Sequence, residues 1–451
     1  MNQQTHTGLI RGIRRWDLVA VAINGIIGAG IFGLPSKVYA LIGSYSLIAF
    51  TACALIVGLI VLCFAEVGSR FSETGGPYLY AREAFGPMVG FEVGWLMWLA
   101  RLTAFSANCN LLIDYLGYFH PGIGVGLPRA IVIIAVAVAL TAVNVVGVRN
   151  AALFSDVFSI GKLIPLALFI IVGLFFLDPG NFSAPAPPAL SSFSQSVLLL
   201  IYAFTGFEMA IIPAGETRDP QRNLPFAILT SLVVVAVVYI LIQVVCVGTL
   251  PELAASKRPL ADASERFLGS FGATAITVGV AISIIGNLIV VILAAARLPF
   301  AMANNHELPR IFAATHGRFR TPHLAIIATG VVMAALTLRG TFISSLTVSA
   351  VARLLAYIVT AAALIALRRR DEREMRFKAE FKAPAGVVVS IAALGLSVWL
   401  LAHVSGAEAL NTAVAAAAGL VIYGAYKLVR RKSNENLGSG EWGMGSGETN
   451  E

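Results

Sequence analysis

Long apolar runs that lack a polar face dominate the chain. Residues 47–65 and 130–143 are apolar around the whole helical circumference, whereas a surface helix of a water-soluble protein keeps a polar side. A helix that crosses a bilayer needs about 20 apolar residues. That requirement divides the chain into about twelve runs, at 16–41, 44–70, 88–119, 128–147, 152–177, 193–215, 226–250, 270–303, 322–338, 342–367, 384–403 and 407–431. The runs do not alternate apolar and polar residues, which excludes the strand pattern of a membrane barrel. The pattern predicts an all-α polytopic membrane protein, because a helix satisfies its own backbone in lipid.

Composition agrees with this reading. The 451 residues are 58% hydrophobic and 12% charged, about half the charge of a soluble domain. The formal charge of +8 does not point to nucleic acid, since most Lys and Arg fall in short segments between runs. Placing both termini in the cytoplasm puts the basic clusters at 310–320, 368–382 and 427–432 inside, as the positive-inside rule requires. The expected organisation is a cytoplasmic segment at 1–15, helices over 16–177, an outer loop at 178–192 with Pro179, Pro185, Pro187 and Pro188, and helices over 193–367. A basic cytoplasmic loop at 368–383, two more helices over 384–432 and a polar, disordered tail at 433–451 follow. The first run follows Arg11, Arg14 and Arg15 without a cleavage-site pattern and reads as a retained span in an inner membrane. Cys53, Cys63, Cys109 and Cys246 lie inside apolar runs without ligand spacing, so neither disulfides, metal nor another cofactor is expected. No phosphate-cradling loop appears, which excludes an ATP-driven pump.

Chemistry concentrates where polar or helix-breaking residues enter these runs. The first run contains Asn24-Gly25-Ile26-Ile27-Gly28-Ala29-Gly30-Ile31-Phe32-Gly33, and each glycine disfavours helix by about 1 kcal/mol relative to alanine. An unwound segment there frees backbone groups that only a cavity or protein surroundings tolerate. Amides of Gly28, Ala29 and Gly30 would then favour a carboxylate, because the N-terminus of the following half-helix carries a positive dipole end. The plainer alternative is close helix packing, since Gly25, Ala29 and Gly33 lie four apart. The sixth run, with Tyr202-Ala203-Phe204-Thr205-Gly206-Phe207-Glu208, shows a second glycine break beside an intramembrane acid. Breaks at corresponding places in two halves suggest inverted repeats.

Glu208 has three open roles: receiving a substrate amine, carrying a coupling proton, or pairing with a buried base. Lys162, central in the fifth run, lies too deep to snorkel. Its ammonium either takes the place of a coupling cation, with a protonation that responds to the transport cycle, or is a fixed structural cation. Arg101 and Arg353 are also intramembrane and read first as structural partners. Asn108, Asn110, Asn287 and Gln243 read as links between helices or as pathway lining.

Four stretches together resemble the amino acid–polyamine–organocation (APC) superfamily of secondary transporters, in particular bacterial amino acid permeases. They are residues 25–32; Glu66-Val67-Gly68-Ser69-Arg70-Phe71 with Gly75-Gly76-Pro77-Tyr78; residues 204–208 followed by Gly215-Glu216-Thr217-Arg218-Asp219-Pro220-Gln221-Arg222-Asn223-Leu224-Pro225; and residues 297–309. The resemblance implies a five-plus-five inverted repeat, helices 1–5 and 6–10, with discontinuous helices 1 and 6 and two additional C-terminal helices. It implies a solute carboxylate on the backbone of Ile27, Gly28, Ala29, Gly30 and Ile31. It places the amine near the carbonyls of Ile23, Ala203 and Phe204, with Phe207 and Glu208 close by. Lys162 resembles a lysine of sodium-independent members, which implies proton coupling or exchange. A secondary active permease for an amino acid or amine, with a proton as the coupling ion and the bilayer as its surroundings, is the expected function. A cationic amino acid or polyamine exchanger, and a non-transporting sensor or scaffold, are the alternatives.

Overall fold

The computed structural model describes residues 13–73, 75–146, 151–183, 186–212, 214–374 and 378–440, with backbone only for 151–161, 371–374 and 429–440. The expected N-terminal segment up to residue 12, Pro185 and the tail from residue 441 lie outside the described residues.

Every regular element is helical. In chain order the α-helices are α1 (Arg15–Ile26), α2 (Ala29–Ile42), α3 (Ser46–Gly68), α4 (Pro77–Phe85), α5 (Pro87–Leu116), α6 (Gly126–Val146) and α7 (Ala151–Gly173). They continue with α8 (Leu190–Phe204), α9 (Pro220–Thr249), α10 (Pro259–Asn304), α11 (His323–Arg339), α12 (Phe342–Glu374), α13 (Gly386–Leu401) and α14 (Gly406–Gly440). Proline opens α4, α5, α9 and α10, where its missing N–H leaves no helical bond unmade. Among the described residues, eight stretches are long and apolar enough to cross a membrane, and three further apolar helices are shorter. The chain is a polytopic membrane protein. Outward-facing apolar residues such as Leu127, Val138 and Val421 are largely exposed, as a lipid-facing surface requires.

The run at 16–41 is two helices, interrupted at Ile27 and Gly28 inside the expected glycine cluster. Several boundaries differ from the sequence reading, among them the start of α10 at Pro259 rather than 270. The helix expected to stop at 367 runs on to Glu374, into the basic stretch. The last helix continues to Gly440, past the point where a polar tail is expected.

The centre of the bundle is α5, which packs against α10, α11 and α12; α1 and α3 pack on α9, and α2 packs on α8. The start of α1 is tied to the stretch before α9: Ile13 N donates to Glu216 O at 3.1 Å and Arg218 N to Ile13 O at 2.9 Å. That end of the bundle also holds α4 and is called the α4 end below. There Glu66 accepts from Arg70, from Arg368 at 2.6 Å on each oxygen, and from the Ala383 amide at 2.9 Å. This buried cluster pins α3, α12 and the segment before α13 together. The four cysteines are buried and free.

Candidate functional site

Two helix breaks face each other in the middle of the bundle. At the first, Ile27 N donates to Ile23 O and Gly28 N to Ile26 O, closing α1 before α2 begins at Ala29. At the second, α8 ends at Phe204, and Gly206 turns the chain with φ 113° into a short 3₁₀ segment, Phe207–Met209. The two breaks touch: a Cβ on Gly206 would lie 2.1 Å from Gly25 O, and one on Gly30 2.7 Å from Ala203 Cα. Gly206 therefore needs glycine for its left-handed φ and for its neighbour. Gly33 is equally crowded, by Phe342.

Gly28 differs from these. A Cβ there would make ordinary contacts, 3.5 Å from Asn287 Nδ2 and 3.9 Å from Asn108 Oδ1. Gly25, Gly30 and Gly33 permit close packing, while a side chain at Gly28 would meet two asparagines at ordinary contact distance.

The orphan groups at the breaks are only partly satisfied. Ala29 N donates to Asn108 Oδ1 at 3.1 Å, and Asn108 Nδ2 donates to Ala104 O at 2.7 Å and to the Tyr202 hydroxyl at 3.2 Å. The amides of Gly30 and Ile31 meet no acceptor among the described residues. Lys162, only 1% exposed, donates its ammonium to Asn24 O and Ile27 O at 3.0 Å each. It thereby caps the negative dipole end of α1. The Tyr239 hydroxyl lies 3.1 Å from Ile26 O and 3.2 Å from Ala203 O, so its one proton is shared between the two breaks. Phe204 stands edge-on against the Tyr239 ring, and the Phe204 carbonyl accepts nothing among the described residues. Phe207 is fully enclosed between Phe64 and Tyr357.

Glu208 is wholly buried. It forms an ion pair with Arg353 and accepts from the Tyr357 hydroxyl at 3.1 Å and the Gly206 amide at 3.0 Å. Glu208 is thus one half of a buried ion pair. An incoming amine would have to compete with Arg353. Asn110 accepts from Arg129 at 2.7 Å, and Gln243 donates to Ser46 Oγ at 2.9 Å, so both link helices. Asn287 is half-buried and has no hydrogen-bond partner among the described residues. Tyr239 and Tyr357 carry no signal in the sequence beyond a polar tip inside an apolar run.

A cavity of about 460 Å³ leads from the second break towards the α4 end. Arg101 and Met209 stand at its head, α10 lines one wall with Val290, Ala294 and Arg297, and Tyr78 and Asn305 lie at its mouth. Tyr78 donates to Glu307 Oε2 at 2.9 Å and accepts from Arg82 and Asn305. Burial and the Glu307 carboxylate push its phenol up to about 12. At the opposite end Arg129 closes the bundle, donating to the carbonyls of Thr337, Leu338 and Gly340.

A broken helix pair with unpaired backbone donors, a buried lysine and a cavity open at one end is the apparatus of a solute carrier. Comparison with known proteins decides the family: the amino acid permease profile matches residues 13–424. The chain belongs to the amino acid permease family. This permease is 29% identical to the methylthioribose transporter of Bacillus subtilis, over 94% of this chain and 95% of that one. It is 28% identical to the serine/threonine exchanger SteT of the same organism, over 95% of this chain and 99% of that one. The branched-chain amino acid permease BcaP, also of Bacillus subtilis, is 24% identical over 95% of each. The permease is therefore a membrane transporter of amino acids or related solutes and not an enzyme.

Proposed function

We propose that the permease moves a zwitterionic amino acid by alternating access, holding it between the two helix breaks. The observation that carries this reading is the pair of unpaired amides, Gly30 and Ile31, at the start of α2 opposite the end of α8. Two N–H groups and a helix dipole suit a carboxylate. The carbonyls of Phe204 and Ala203, at the negative end of α8, suit the ammonium. Asn108 and Asn287, beside Gly28, would meet the solute from α5 and α10. Relatives named for serine and threonine and for branched-chain amino acids agree with a small neutral solute.

On this reading the described helices form about twelve spans. The first five comprise α1 with α2, α3, α5, α6 and α7. An inverted set of five, α8 to α12, and the two added spans α13 and α14 follow. Both termini face the cytoplasm of an inner membrane, since the arginines of α4, of 310–320 and of 368–370 gather at one end. The cavity then opens inward. Lys162 supplies the cation that α1 needs at its broken end, so the carrier requires no sodium, and proton exchange at Lys162 couples transport to the pH gradient.

The test is uptake of labelled amino acids into proteoliposomes with and without a pH gradient and with and without sodium. Accumulation driven by an inward proton gradient alone supports the reading; absence of both uptake and counterflow rejects it. Lys162→Ala is expected to lose pH dependence while its abundance in the membrane stays within about twofold of the parent. Competition by arginine, lysine and putrescine would instead identify a cationic amino acid or polyamine exchanger. That alternative is favoured by the 27% identity to the arginine/agmatine antiporter of Chlamydia pneumoniae, but it meets the Glu208–Arg353 pair.

A further inference from the structure

The charges around the second break do not balance. Glu208 is the buried acid there, and it is already held by Arg353, Tyr357 and its own loop amide. Arg101 stands on the adjacent face of α5, 2% exposed, at the head of the cavity. Its one hydrogen bond among the described residues runs from Nη1 to the thioether of Met209, at 2.9 Å, and a thioether sulfur is a weak acceptor. Its Nε, also buried, has no partner. No carboxylate among the described residues pairs with it. Arg297 and Glu216 are the other charged residues that line the cavity, so with Arg101 the formal charge of the lining is positive.

Glu208, already held by Arg353, offsets only part of the desolvation cost of this guanidinium, and an anion that reaches it offsets more. The cavity gives an anion a route to it, and the planar fork of Arg101 matches a carboxylate. Its place along α5 adds a second argument. Arg101 precedes Asn108 by seven residues, two helical turns or about 10 Å, and both fall on the face turned to the breaks. A solute leaving the Gly30 and Ile31 amides for the α4 end therefore passes Arg101.

We propose that Arg101 is a second carboxylate-binding subsite, at the head of the cavity and separate from the helix-break site. It holds the carboxylate of a solute on its way between the breaks and the α4 end, and it repels solutes whose net charge is positive. The route it serves rests on the transport reading above; the binding site does not.

The experiment measures thermal stabilisation of the purified, full-length protein by glutarate, a carboxylate ligand without an amine. Glutaramide serves as the neutral counterpart and sodium chloride as the inorganic anion at equal ionic strength. Glutarate is expected to raise the melting temperature in a saturable way, with glutaramide and chloride without effect. Arg101→Gln is expected to raise the half-saturating glutarate concentration at least tenfold, and Arg101→Lys to restore part of the affinity. Met209→Glu, which places an internal carboxylate where the thioether now sits, is expected to abolish the glutarate response in a folded protein even where Arg101→Gln does not fold. Parent protein that glutarate does not stabilise overturns the proposal without any variant, as does equal stabilisation by chloride or an unchanged response in Arg101→Gln or Met209→Glu. Glutarate binding that needs Arg101 in a protein without amino acid uptake would leave the subsite standing and remove the transport reading. Uptake without Arg101-dependent binding would do the reverse.

Discussion

Gly28 separates two readings that the sequence holds together. Four glycines within nine residues announce a weak helix, but whether each exists for packing or for access depends on what stands opposite. Gly25 abuts Gly206, Gly30 abuts Ala203 and Gly33 abuts Phe342, while Gly28 faces the side chains of Asn287 and Asn108 across van der Waals distance. Those neighbours come from α5 and α10, far away in sequence, which is why residue spacing alone does not rank the glycines. Gly28→Leu should consequently fold, because its Cβ makes only ordinary contacts, while its isobutyl group presses on the two asparagines. Binding of the transported amino acid should weaken at least tenfold, roughly 1.4 kcal/mol, with the melting temperature almost unchanged. Equilibrium binding on the purified protein measures both, and normal affinity would contradict the placement of the carboxylate beside Gly28.

At the scale of elements, the breaks in α1 and α8 were legible because glycine and an acid interrupt apolar runs. What holds the broken ends was not legible. Lys162 announced itself as a deep cation, yet its acceptors are backbone carbonyls of Asn24 and Ile27, which no side-chain pattern advertises. The partner of Glu208 lies on α12, among two candidate arginines, and only the packing of α12 on α5 and α8 selects Arg353. Tyr239 is the clearest case: one hydroxyl on α9 joins the end of α1 to the end of α8. Tyr239→Phe removes this tie without changing shape. It is expected to lower stability by about 1–3 kcal/mol and to raise amide exchange locally at 26–28 and 203–206, which hydrogen-exchange mass spectrometry resolves. Exchange that rises uniformly along the chain would argue against a tie specific to the breaks.

Across the whole molecule, the apolar runs gave the all-helical class and the membrane setting, since a bilayer demands long apolar helices. They did not give the state of the bundle. That is set by contacts between elements distant in sequence: a cavity open at the α4 end, and Arg129 from α6 clamping the corner between α11 and α12 at the other. Ser106 and Ser345 add a 2.8 Å contact beneath the clamp. Arg129→Ala is expected to loosen that end. With Cys53, Cys63 and Cys246 replaced by serine, Cys109, which neighbours the Arg129 partner Asn110, should react with a membrane-impermeant maleimide at least tenfold faster than in the parent. Labelling at the parental rate would show that the clamp does not control access.

The hydrogen bond from the Ala29 amide to Asn108 Oδ1 bears on how the carrier cycles. A carrier that must be loaded before it can turn over exchanges one molecule for another and never delivers net cargo. Here a side chain of the protein serves as a resident acceptor at the mouth of the first break, so the unloaded form has a placeholder and is not left with a bare helix end. On the proposed transport reading, an empty return step is then expected to be passable. Asn108→Ala should accordingly slow net uptake by several-fold more than one-for-one exchange, a separation that paired uptake and counterflow assays on the same liposomes read directly.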